Sequence, residues 1–139
     1  MQYAYVLDCS VTMSWLFHDE QTAKVLKLRE LMKTKSVLVP GIWSLEVANV
    51  LWAAEKKMRI TAFQSSQYQQ LLNELPIETD ENTAEYALQR ILELAREYDI
   101  TVYDASYLEL SLRFTCPLAT MDKALQAVAV KAGIPLLPE

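Results

Sequence analysis

One stretch near the start, Ala4-Tyr5-Val6-Leu7 stopped abruptly by Asp8, constrains this chain more than any other. Apolar residues with aromatic and β-branched members read as a short buried strand, and the charge sits where that strand leaves the core. In an open parallel α/β sheet, ligands bind in the crevice beyond the carboxyl ends of the strands, so an acid at a strand's last position is placed for chemistry. Asp8, or Ser10 just after it, also has an ordinary structural use as the cap of the helix that follows. Read alone, Asp8 favours the cap.

The rest of the chain repeats the strand-then-helix order. Val11 to Phe17 reads as a short helix, and Asp19 as the N-cap of a second one running to about Met32, with Ala23, Leu26 and Leu31 inward. Ser36 to Gly41 reads as a second buried strand closed by Pro40-Gly41, and a long helix follows to about Met58. Thr61 with Gln64 forms a capping box that opens a helix from Ala62 to about Leu75. Pro76 to Thr79 is a short strand or an extended connection, and Asn82 with Glu85 caps a helix through Tyr98 carrying Ala84, Leu88, Ile91, Leu92 and Ala95 inward. Thr101 with Asp104 has capping-box spacing and opens a helix to about Phe114; Pro117 to Thr120 is another buried strand, and Lys123 to Ala132 a helix closed by Gly133. Ile134 to Leu137 supplies a last strand, at an edge because Pro135 cannot donate to a ladder. With no repeat, low-complexity segment or linker, residues 1–139 are expected to form a single α/β domain.

The helix after Gly41 carries two apolar stripes, one of Trp43, Val47, Val50, Leu51 and Ala54, the other of Leu45, Ala48 and Trp52. Two stripes predict a mostly buried helix, which leaves Glu46 and Asn49 a narrow polar face. A carboxylate in such surroundings is costly unless it is paired or bound to a metal, so Glu46 is either half of an ion pair or part of a site.

Composition excludes several chemistries. A formal net charge of -5 argues against gripping nucleic acid by bulk electrostatics, so a nucleic-acid substrate would need help from a cation. Cys9 and Cys116 show no metal-binding or redox spacing, although a disulfide between them stays open. His18 is the one histidine and sits in a polar stretch with Asp19 and Glu20, which favours the surface over a Ser/His/Asp or Cys/His mechanism. With no secretory leader and no run of membrane-spanning length, the expected address is the cytoplasm.

Individually each acid has a structural use, but together they form a pattern. Asp8 and Asp122 each follow a strand, Glu46 lies early on a helix that follows one, and Asp104 opens a helix, so all four can face one sheet edge. Like charges gathered in a cleft persist ionised only around a cation, and oxygen donors without His or Cys point to Mg²⁺ or Mn²⁺. A cation so held activates water and braces a phosphoryl oxygen, the chemistry of phosphodiester hydrolysis.

The residues also carry a family resemblance. Val6-Leu7-Asp8-Cys9-Ser10-Val11 with Trp15-Leu16, Pro40 with Glu46, Asn49 and Leu51, Tyr103-Asp104-Ala105 with Tyr107, and Leu118-Ala119-Thr120-Met121-Asp122 with Leu125, Ala129 and Gly133 together resemble a PIN domain of the VapC-like toxin type. Each motif is short, but their order is specific and covers nearly the whole chain. The resemblance implies a three-layer α/β/α fold around a short parallel sheet and a Mg²⁺-dependent ribonuclease activity. It assigns metal binding to Asp8, Glu46, Asp104 and Asp122, with Asp8 and Asp104 as the first choice of direct ligands. Ser10 and Thr120, and also Asn49, match polar positions that orient ligands or substrate. A homodimer and a small antitoxin partner that blocks the cleft are implied as well, and Tyr68, Leu71 and Leu72 are compatible with an interface. Two other readings compete: a PIN-like module that binds RNA or protein without cutting, and a receiver-like phosphoacceptor. The second wants paired acids near the first strand and a phosphorylatable Asp at a middle strand end, neither of which is clear here.

Overall fold

A computed structural model describes residues 2–139. Five short strands, β1 (Val6–Leu7), β2 (Val37–Val39), β3 (Ile77–Thr79), β4 (Leu118–Ala119) and β5 (Leu136–Leu137), form one sheet in the order β3-β2-β1-β4-β5. Every pairing is parallel, with Val6 opposite both Leu38 and Leu118. Helices cover both faces, giving the expected three-layer α/β/α arrangement. The chain leaves β1 towards β2 on one side while β4 takes the other, so the strand order reverses at β1 and β4. That reversal opens the crevice in which open α/β sheets bind ligands; Asp8 directly follows β1, and Asp122 lies three residues past the end of β4.

Burial explains the strand assignments. Tyr5, Val6 and Leu7 are fully covered, as are Leu118 and Ala119, which is the pattern of strands enclosed on both faces. Polar atoms carried into this core find partners: the Tyr5 hydroxyl donates to the Leu28 carbonyl at 2.7 Å, and the Trp15 indole N–H to the Val25 carbonyl at 2.7 Å. Both bonds tie α2 (Ala23–Leu31) onto β1 and α1 (Cys9–Leu16).

Several local expectations shift. Thr22, not Asp19, caps α2, because its hydroxyl accepts from the Val25 N–H, while Asp19 lies in a 3-10 turn and pairs with Arg59 at 2.7 Å. The buried face of that segment is accordingly Val25, Leu28 and Met32, and Leu26 and Leu31 point outward. Residues 83–98 do not form one regular helix: α5 (Thr83–Tyr86) passes through a π-helical segment (Ala87–Ile91) into α6 (Leu92–Tyr98). The wider turn resets the helical phase, so Ile91, Leu94 and Ala95 are buried but Leu88 is 86% exposed. Asn82 makes no side-chain cap; Asp80 serves that turn instead, accepting from the Asn82 N–H and the Thr83 hydroxyl. In α3 (Trp43–Lys56) the first stripe packs inward through Trp43, Val47 and Ala54, whereas Leu45 and Trp52 of the second are exposed. Both cysteines are free thiols, and among the described residues no helix is long and apolar enough to cross a membrane.

Candidate active site

Asp8 takes the capping role that its place at a strand-to-helix junction predicts. As N-cap of α1 its Oδ1 accepts from the Val11 N–H at 3.1 Å and from the Ser10 hydroxyl at 2.7 Å. Its Oδ2 accepts from the Thr120 hydroxyl. Ser10 and Thr120 in turn accept from the backbone N–H groups of Met121 (2.9 Å) and Asp122 (3.0 Å). The two hydroxyls therefore clamp the end of β1 to the loop after β4, and Asp122 caps α8 (Lys123–Lys131) through the Leu125 N–H at 3.1 Å.

The other two acids come from helices. Glu46, in the first turn of α3, accepts from the Tyr107 hydroxyl on α7 (Val102–Phe114), so the partner the structure provides is a phenol. Asp104 lies in the first turn of α7, where its backbone N–H donates to the capping Thr101 hydroxyl at 3.0 Å. Tyr107 stands three residues further on, which puts it on the same helical face; it is 2% exposed. That spacing is the sequence signal for its contact with the acids, although nothing local names Glu46 as its partner. Asn49 is exposed one turn along α3 from Glu46.

Electrostatics link the four acids into one group. Burial, opposed by the Thr120, Ser10 and Val11 hydrogen bonds and aided by the charge of Asp122, pushes the Asp8 carboxyl up to about 6. Burial and the Asp122 charge also raise Asp104, and burial and the Asp104 charge raise Glu46 against the pull of the Tyr107 hydroxyl. Asp8, Asp104 and Glu46 thus each feel the charge of one other acid. Among the described residues, however, no three His, Cys, Asp or Glu side chains stand close enough together to hold a metal ion. The donor chemistry still suits a hard cation: oxygen ligands alone, in mutual repulsion that positive charge would relieve. Cys9, between Asp8 and Ser10, is no competing nucleophile, because burial and the charges of Glu46 and Asp8 push its thiol up to about 12. A cavity of about 660 Å³ between α3 and α4 (Ala62–Asn73) is lined by Trp43, Val47, Leu51, Trp52 and Leu72, among others, and includes none of the four acids.

A family model for the PIN domain matches residues 5–131. Among solved structures, the chain is similar to the crystal structure of PAE2754 from Pyrobaculum aerophilum, at 25% identity over 99% of this chain and 85% of that one, with a TM-score of 0.70. It also shares its fold with VapBC2 from Rickettsia felis, determined bound to a DNA fragment from their promoter, at 14% identity over 95% of this chain and 96% of that one and a TM-score of 0.66. No curated protein matches the chain.

Proposed function

Because the chain belongs to the PIN-domain family, we propose that it is a Mg²⁺- or Mn²⁺-dependent endoribonuclease and the toxin of a type II toxin-antitoxin pair. The observation that supports this most is the electrostatic chain Asp8–Asp122–Asp104–Glu46 at the reversal point of the sheet. Asp8, Glu46, Asp104 and Asp122 would hold the cation. Bound there, it supplies positive charge against the RNA phosphate and Lewis-acid activation of water.

The protein's own contribution is orientation. Ser10 and Thr120 fix the Asp8 carboxylate by donating to separate oxygens, and Tyr107 fixes Glu46. Neither Ser10, whose hydroxyl is spent on Asp8 and the Met121 N–H, nor the protonated Cys9 is free to attack phosphorus, so hydrolysis needs no protein nucleophile. Asn49, on the α3 face that carries Glu46, is assigned a substrate-orienting role. An acidic chain gains access to a polyanion only through such a cation.

Partner assignments rest on the family likeness and on the shared fold with a VapBC complex: an antitoxin encoded beside this chain, and a second copy of the chain itself. Tyr68, Leu71 and Leu72 pack partly against the core, which leaves Leu88 and Phe63 as the more exposed apolar groups of the 62–98 region. Sedimentation at micromolar concentration should give a dimer, and a monomer would count against it.

The decisive experiment is cleavage of total cellular RNA by the purified protein with Mg²⁺ or Mn²⁺, against chelator. Discrete fragments that require metal are expected. Metal binding without cleavage would favour the non-cutting RNA- or protein-binding alternative, and no metal binding would remove the site. Tyr107→Phe keeps the buried ring and deletes only the hydroxyl, so cleavage should fall by about 10–100-fold, as when a ligand loses its supporting hydrogen bond. An unchanged rate across a Mn²⁺ titration would show that Glu46 needs no support from Tyr107.

A further inference from the structure

Of the helices whose first turns serve the site, α3 alone has no side chain capping its N-terminus: Asp8 caps α1, Thr101 caps α7 and Asp122 caps α8, whereas Ile42 at the start of α3 makes no such bond. Yet α3 carries Glu46 in its first turn. What holds its start lies elsewhere in the chain. The Gly41 N–H donates to the Thr83 hydroxyl oxygen at 2.9 Å, and that hydroxyl donates to Asp80 Oδ2 at 2.8 Å. Asp80 is 7% exposed and is gripped from α7 by the Arg113 guanidinium, Nη1 to Oδ1 at 3.0 Å and Nη2 to Oδ2 at 2.7 Å. Asp80 also extends the sheet, its N–H donating to the Val39 carbonyl at 2.8 Å. The contact is close enough that a Cβ on Gly41 would stand 3.5 Å from the Thr83 Cβ.

From this we infer that Thr83, held by Asp80 and Arg113, is a positioning residue that sets the first turn of α3 and hence the placement of Glu46 relative to Asp104 on α7. The inference rests on the nuclease reading of the four acids. Arg113 and Asp104 share α7, so the relay Arg113–Asp80–Thr83–Gly41 references the start of the Glu46 helix to the helix that carries Asp104. A direct bond, Tyr107 to Glu46, joins the same two helices at the carboxylate itself. Trp43 at the head of α3 is held separately, its indole N–H donating to the Thr12 hydroxyl of α1 at 3.1 Å, so removing the Thr83 hydroxyl loosens the Gly41 end of the first turn and its tie to α7 without freeing the whole helix. A small misplacement at a reacting centre is expensive even when the fold survives.

Thr83→Val keeps the shape and deletes the hydroxyl, and Thr83→Ser restores it. In Thr83→Val, amide hydrogen exchange at Gly41, Trp43 and Glu46 should accelerate by about tenfold, and RNA cleavage should fall by about tenfold in kcat. Thr83→Ser should return both to within about twofold of wild type. The exchange measurement is made without metal or RNA and so does not depend on cleavage. A wild type that does not cut, with accelerated exchange in Thr83→Val, would defeat the nuclease reading and keep the relay as a structural device only. A wild type that cuts, with Thr83→Val equal to it in both kcat and exchange, would overturn the positioning role. Failure of Thr83→Ser to rescue would overturn it too, because the hydroxyl would then not be the operative group.

Discussion

Asp8→Asn should cut RNA cleavage by about 10²–10³-fold or more, the scale on which loss of one charge-stabilising group is felt at a reaction centre, while leaving a fold that is more stable than wild type at neutral pH. The second half follows from the environment of the carboxyl. Burial raises it to about 6 in the folded protein, whereas an unfolded Asp releases its proton near pH 4. The folded state therefore holds the proton longer, and stability falls as pH rises from about 4 to about 6 and stays low above that window. An uncharged Asn escapes this cost. Its amide oxygen can still accept from the Val11 N–H and the Ser10 hydroxyl, and its amide nitrogen faces the Thr120 oxygen in place of Oδ2. A gain of about 1–3 kcal/mol at pH 7 is expected, shrinking towards zero near pH 4. Urea denaturation in chelator at both pH values reads it directly. Loss of stability at pH 7 would show that the helix cap outweighs the buried charge, and cleavage close to wild type would remove Asp8 from the site.

The second large effect lies away from the four acids. Arg113 is bonded to two buried carboxylates, Asp80 as above and Glu109 through Nε (2.8 Å) and Nη2 (2.9 Å), and its guanidinium lies 4.2 Å from the centre of the Tyr86 ring. Side-chain exposures of 17% for Arg113 and 4% for each acid make this an interior network. Arg113→Ala strands two buried negative charges and should cost about 3–5 kcal/mol, a large share of the roughly 5–15 kcal/mol that holds a domain folded. Acid should erase the difference. Burial alone would raise the Asp80 carboxyl, but the Arg113, Thr83 and Asn82 contacts outweigh it and hold it below the usual carboxylate range. The stabilisation from Asp80 is thus present above its unfolded pKa near 4 and is lost as pH falls through the lower folded value. Denaturant titrations of wild type and Arg113→Ala at pH 7 and pH 3 should show the gap closing; a cost under about 1 kcal/mol at pH 7 would mean that the network merely breaks even.

Much of this architecture was legible from contiguous residues. Apolar runs of strand length punctuated by Pro, Gly or an acid marked the strands, and the capping box at Thr61 and Gln64 is formed as its spacing predicts. Asp8 was readable as both a cap and a site residue, and the structure gives it the cap and gives Asp122 one as well. Where local signals competed, the sequence misled. Asp19 and Thr22 both resemble caps, and only packing of Val25 and Leu28 selects Thr22. Leu45 and Trp52 look like core because periodicity reports that a face is apolar without reporting that anything covers it. The π-helical turn at Ala87–Ile91 leaves no local signature strong enough to displace a regular helix.

By itself, then, the sequence determined most of the strands and helices and which acids end or begin them, because those signals are carried by residues within a turn or two of one another. Only the tertiary structure decided who partners whom. Tyr107 meets Glu46 across 61 positions, Arg113 meets Asp80 across 33, and Thr120 meets Asp8 across 112. The physical reason is that a hydrogen bond or ion pair depends on where the sheet order and helix packing bring two side chains, and neither side chain encodes that alone.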